Sequence, residues 1–271
     1  IKNPSFIKCY GISKNENGKY VLVLKYASMG SLRQNLQKIS KMAWKNKLKL
    51  LLSISYDLKA IHSQDIVHRD LHSDNILQDD LHIAYIADLG LSIHYMKPDG
   101  EIYGVIPFVA PEVLEEKPYT TASDIYSFGI IMWEILYGVS STSCFNQNQI
   151  FDIVTGSRPP VNKTDSNRYV DLMKKCWHQD PSIRPTADCL CEIFKLWRDN
   201  EQFISELNKF KLTNDFNFDK NSDINNFSIS KLFSLDKNVQ SLEQDLNILC
   251  IDKNVLSREQ DLNILSTDKM D

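Results

Sequence analysis

A chain of 271 residues with 42% hydrophobic and 24% charged content can hold one large domain or two modest ones, and this composition excludes a wholly disordered or fibrous protein. A net charge of −4 gives no electrostatic basis for a nucleic acid or an anionic membrane as partner. The six cysteines show neither metal-site spacing nor the density of a disulfide framework, so reduced thiols and a cytoplasmic setting are expected. No stretch reads as a signal peptide, and the most apolar run, residues 125–136, is too short for a bilayer and contains Glu134.

In chain order, Asn3-Pro4 is a turn signal and residues 6–10 read as a strand. Residues 14–18 form a hairpin loop ending in Asn17-Gly18. Residues 20–24, Tyr-Val-Leu-Val-Leu, are a continuous apolar run suited to a buried strand. Gly30 then breaks the extended chain and Ser31 is placed to cap a helix. Residues 44–62 carry Leu48, Leu51, Leu52, Leu58 and Ile61 at helical spacing, with Trp44 and the leucines as core.

Between two apolar runs lies the polar loop His68-Arg69-Asp70-Leu71-His72-Ser73-Asp74-Asn75, followed by Asp88-Leu89-Gly90. Such a loop can aim one carboxylate at an incoming hydroxyl, while an amide and a second carboxylate offer hard oxygen ligands to a cation. Downstream come Ala110-Pro111-Glu112, then residues 123–134, apolar almost all round and therefore a buried helix with Asp124 at its start. An amphipathic helix is expected over residues 169–178, and a last one after Arg184-Pro185-Thr186. Residues 214–226 are rich in Asn and Asp and lack period, hence a linker. Residues 235–250 and 251–266 then repeat, matching at twelve of sixteen positions. Leu235, Val239, Leu242, Leu246 and Leu249 alternate by four and three, a coiled-coil seam that Arg258 breaks in the second copy. Weak self-association through residues 235–265 stands there against a mostly disordered tail.

The string H-R-D-L-x-x-x-N followed by D-x-G, with A-P-E beyond it, resembles the eukaryotic protein kinases over residues 1–197. The resemblance implies an α+β, protein-kinase-like fold: a mainly α-helical large lobe over residues 28–199 and a remnant of the small-lobe β-sheet and hinge over 1–27, with 200–271 as linker and repeat tail. It implies ATP and Mg²⁺. Asp70 would accept or orient the acceptor's hydroxyl proton, and Asn75 and Asp88 would hold the metal. Leu24 would guard the back of the adenine pocket, with the backbone of Lys25 and Ala27 on the adenine edge and Leu77 beneath it. Arg69 would face a phosphate on the downstream loop, where Ser92, Tyr95 and Tyr103 are the hydroxyl candidates. His68 would pack under the loop, Asp124 would hold the loop's backbone, and Arg184 would pair with Glu112.

Two positions depart from the family. His72 stands where Ser/Thr-specific members usually have Lys, and Val105 where they usually have a Thr bonded to the catalytic Asp. The chain starts at Ile1 and contains no candidate for the Gly-rich loop, the ATP-binding Lys or its Glu partner, so a fragment is expected. The resulting expectation is a signalling protein kinase that moves the ATP γ-phosphate to a protein hydroxyl, Ser/Thr rather than Tyr. The alternative is a pseudokinase or truncated kinase acting as a protein-binding module.

Overall fold

A computed structural model describes residues 7–89, 93–94, 102, 104–145, 149–162 and 167–209. Residues 14–21 form one unit and the other described residues another. The expected tail repeat, the self-association seam and Ser92, Tyr95 and Tyr103 lie outside the described residues.

Strands β1 (Cys9–Lys14) and β2 (Tyr20–Leu24) pair with each other alone among the described residues. At the turn, Asn15 Oδ1 accepts the N–H groups of Asn17 and Lys19 at 3.1 and 2.9 Å. β2 is not the buried strand its composition suggests: all five of its residues are exposed. An apolar run is buried only when another layer covers it, and among the described residues no helix or second sheet covers β2.

Helices dominate the rest of the described chain. The first are α1 (Leu32–Ser40) and α2 (Trp44–His62), then come short strands β3 (Ile66–Val67), β4 (Ile76–Asp80), β5 (Ile83–Ile86) and β6 (Ile93–His94). The remaining helices are α3 (Pro111–Leu114), α4 (Thr121–Tyr137), α5 (Gln149–Val154), α6 (Arg168–Cys176), α7 (Ala187–Asp199) and α8 (Glu201–Lys209). β4 pairs antiparallel with β5, and β3 with β6. α1 begins where Gln34 Oε1 reaches back to the Ser31 N–H at 3.1 Å. α2 matches its expected span, with Trp44, Leu48, Leu51, Leu52, Leu58 and Ile61 all buried.

α4 is the axis of the core. Every residue from Ser123 to Leu136 is buried, and each large apolar side chain so placed contributes about 1.5–3 kcal/mol. A Cβ on Gly129 would stand 2.9 Å from Cys176 Cβ and 3.0 Å from the Trp177 nitrogen, so α6 packs this closely only against a glycine. Packing also runs past the expected end of the lobe at residue 199. α8 buries Phe203, Ile204 and Leu207, an apolar stripe at helical spacing inside an otherwise polar stretch. The five cysteines among the described residues are free thiols.

Candidate active site

The loop after β3 is held from beneath by α4. Asp124 is 1% exposed and accepts the backbone N–H of His68 through Oδ2 at 2.9 Å and that of Arg69 through Oδ1 at 3.0 Å. His62 Nε2, from the last turn of α2, lies 2.8 Å from the same Oδ2. These bonds hold Arg69 at φ 72°, a left-handed conformation that an L-residue keeps only when its surroundings enforce it. Asp88 is also left-handed, at φ 61°.

His68 is fully buried. Its Nε2 lies 3.0 Å from the Ala87 carbonyl, and a carbonyl only accepts, so Nε2 carries the proton. Burial, opposed by the Asp124 charge, pushes the His68 pKa down. It thus packs under the loop, as expected, and ties the loop to the residue before Asp88.

The next link is backbone. Ala87 N–H donates to the Asn75 carbonyl at 2.8 Å, extending the β4–β5 ladder by one step, so Asn75 and Asp88 lie one residue apart across two strands. The Asn75 amide nitrogen donates to the Asp70 carbonyl at 2.9 Å and to Asp70 Oδ2 at 3.3 Å. Its amide oxygen then remains as the donor atom for a cation. An amide oxygen and a carboxylate are both hard oxygen donors of the kind that suits Mg²⁺.

Around Asp70, His72 Nε2 lies 3.4 Å from Oδ1, loose for a hydrogen bond but within ion-pair range. His72 Nδ1 accepts the Asp74 N–H at 3.2 Å, which leaves the ring proton of the neutral imidazole on Nε2, facing Asp70. Burial pushes the Asp70 carboxyl up, but the His72 contact, the neighbouring imidazoles and the Asn75 amide outweigh it. The net pKa lies below the ordinary value, so Asp70 is a carboxylate. Gly104 adopts φ 102°, and a Cβ there would stand 3.1 Å from Asp70 Oδ1. Arg69 is buried, its guanidinium 5.3 Å from the centre of the Tyr119 ring.

A second cluster contains the residues expected at the adenine edge. Met29 N–H donates to the Gln78 carbonyl at 3.0 Å, Gln78 N–H donates to the Gly30 carbonyl at 2.9 Å, and Ser31 bridges to Leu77. The segment after β2 therefore runs along β4 with Leu77 beside it. Ala27 is buried, and its carbonyl closes a turn onto the Gly30 N–H at 3.1 Å. The Lys25 side chain pairs with Asp79, which also accepts from the Tyr85 hydroxyl at 3.0 Å. Leu24, at the end of β2, is 41% exposed.

Three further anchors lie outside the sequence expectations. Asp57, on the buried face of α2, accepts the Ile86 N–H at 3.1 Å, two residues before Asp88. A carboxylate inside an apolar helical stripe was the available signal. Ser127 Oγ donates to the Phe108 carbonyl at 2.7 Å, and Gly104 leaves room beside Asp70; neither has a local signature. The expected pair of Arg184 and Glu112 is two-pronged, 2.7 Å on each arm, and the same guanidinium donates to the Ala122 carbonyl at 2.9 Å. α4 thus fixes the 68–75 loop through Asp124 and the 104–112 segment through Ser127.

A family model described as protein tyrosine and serine/threonine kinase matches residues 1–194. The chain is 34% identical over 173 residues to the serine/threonine/tyrosine-protein kinase HT1 of Arabidopsis thaliana, covering 61% of this chain and 44% of that protein. To the serine/threonine-protein kinase STY17 of the same plant it is 32% identical over 143 residues, 51% of this chain and 25% of that protein. The chain spans less than half the length of these curated relatives.

Proposed function

This chain belongs to the protein tyrosine and serine/threonine kinase family, and we propose that the whole protein transfers the γ-phosphate of ATP to a protein hydroxyl, serine or threonine in preference to tyrosine, in cytoplasmic signalling. The observation that carries this reading is the Asn75 amide bonded to Asp70 while the Asn75 carbonyl is bonded to Ala87, which gathers Asp70, Asn75 and Asp88 at one end of the β4–β5 hairpin. Asp70 would accept the proton as the acceptor oxygen bonds to the γ-phosphorus, and the β–γ bridging oxygen leaves with ADP. Asn75 would hold Asp70 in register and, with Asp88, would hold Mg²⁺, which neutralises charge on the phosphate oxygens. Leu77, Ala27 and the backbone at Lys25 would bound the adenine, with Leu24 at the rim. Arg69 would receive a phosphate from the downstream segment. The Ser/Thr preference is supported by the name of the STY17 relative, while the HT1 name includes tyrosine as well.

His72 supports a second reading, a pseudokinase that binds protein partners. An imidazole beside Asp70 supplies no fixed positive charge to the transferred phosphate.

Phosphate transfer to a general protein acceptor by the whole protein, wild type against Asp70→Asn, separates the two. We expect activity to fall about 10²–10⁴-fold in the variant. Wild-type protein that binds Mg-ATP but transfers no phosphate would move the assignment to the binding module. For the 271-residue chain by itself, the expectation is little or no thermal stabilisation by micromolar Mg-ATP.

A further inference from the structure

The N-terminus of α2 opens onto a cavity of about 440 Å³ lined by Ser40, Lys41, Met42, Ala43, Trp44, Lys47 and Asn208. A 19-residue helix is about 28 Å long. His62, at the other end of α2, touches Asp124 beneath the catalytic loop, so this cavity lies at the opposite end of the helix from the chemistry.

Lys47 is 4% exposed. Its ammonium lies 4.7 Å from the centre of the Trp44 ring, and no carboxylate among the described residues pairs with it. An ammonium on a side chain this buried, with no counter-charge, is costly. The helix end has no cap of its own: Ala43 in the capping position offers no side-chain acceptor, the first turn has no acidic residue, and the one carboxylate that reaches it from α8, Glu201, is paired with Lys45. Its free N–H groups and dipole add positive potential at the same mouth. Among the described residues lining the cavity, Lys41 and Lys47 are the ionisable ones, both cationic, while Met42, Ala43 and Trp44 supply apolar wall.

We propose that this cavity is a binding site for a small organic oxyanion, a phosphate or carboxylate carried on a flat apolar body, with Lys47 as its buried counter-charge and the α2 N-terminus and Lys41 as further donors. Helix N–H groups receive oxyanions readily, and Trp44, Met42 and Ala43 would line the apolar body. Burial lowers the Lys47 pKa to about 8, so affinity should fall as the pH rises through that value and the ammonium loses its proton.

The test is calorimetric titration of the 271-residue chain, without Mg²⁺ or nucleotide, with phenyl phosphate, benzoate and neutral benzyl alcohol. Saturable binding of at least one anion but not of the alcohol is expected, and the stronger of phenyl phosphate and benzoate identifies the headgroup. Lys47→Met should weaken binding about tenfold or more, the loss of one charge-assisted contact. Lys41→Gln, an exposed change that leaves the core alone, should weaken it several-fold and is an independent arm of the test. Asp70→Asn should leave this binding unchanged. The proposal is overturned by absence of saturable binding, by equal affinity in wild type and both lysine variants, or by affinity indifferent to pH between 7 and 9.

Discussion

The carboxylate of Asp124 accepts the backbone N–H of Arg69 at 3.0 Å and so holds Arg69 in the left-handed conformation, φ 72°, from which the loop carrying Asp70 and Asn75 departs. Two further bonds, to the His68 N–H and the His62 ring, end on the same carboxylate. Asp124→Ala would leave two buried N–H groups without acceptors and should cost about 3 kcal/mol or more. Urea unfolding measures it. Asp124→Asn keeps one acceptor oxygen and should cost less. Equal losses for the two variants would mean that packing, not hydrogen bonding, dominates there.

Gly104 leads to a prediction that separates stability from chemistry. Alanine there would have to adopt φ 102° with its Cβ 3.1 Å from Asp70 Oδ1. Strain of about 1–2 kcal/mol is expected in the melting curve. The larger effect should fall on kcat of the whole protein, because the methyl group displaces the proposed base. A change in melting temperature without a change in kcat would remove Gly104 from the site.

The pair of Arg184 and Glu112 is buried on both sides. Glu112→Gln or Arg184→Met alone leaves a buried charge uncompensated and should cost about 3–5 kcal/mol. The double variant Glu112→Gln with Arg184→Met should lose distinctly less than the sum of the two, read as a coupling energy in a double-mutant cycle. Simple additivity would show that the two side chains act independently.

Lys47 makes a pH-dependent contribution to stability. Burial holds its folded pKa at about 8 against an ordinary 10.5. Between these values the unfolded chain binds more protons than the folded one, so this contribution rises with pH from about 8 to 10.5 and the full penalty applies below 8. At about 1.4 kcal/mol per pH unit the penalty reaches about 3 kcal/mol. Lys47→Met should therefore be more stable than wild type at pH 7, with the advantage shrinking toward pH 10. Urea unfolding of both proteins at the two pH values checks it.

What could be read before folding was what neighbours along the chain encode. Apolar spacing placed α2 residue for residue, and Ser31 placed the start of α1. The order of Asp70, Asn75 and Asp88 named the candidate chemistry, because a motif spacing is itself a sequence property. Periodicity reports which face of an element is apolar but not what covers that face, so the apolar run of β2 is exposed, while α8, inside a polar stretch, is packed. The anchors Asp57, Ser127 and Gly104 act on Ile86, Phe108 and Asp70, separated from them by 19 to 34 residues. The unpaired charge of Lys47 likewise depends on which elements close around it. Only the tertiary structure decided these, since burial and hydrogen-bond partnership are properties of chain segments brought together, and hydrophobic packing rather than sequence order selects the segments that meet.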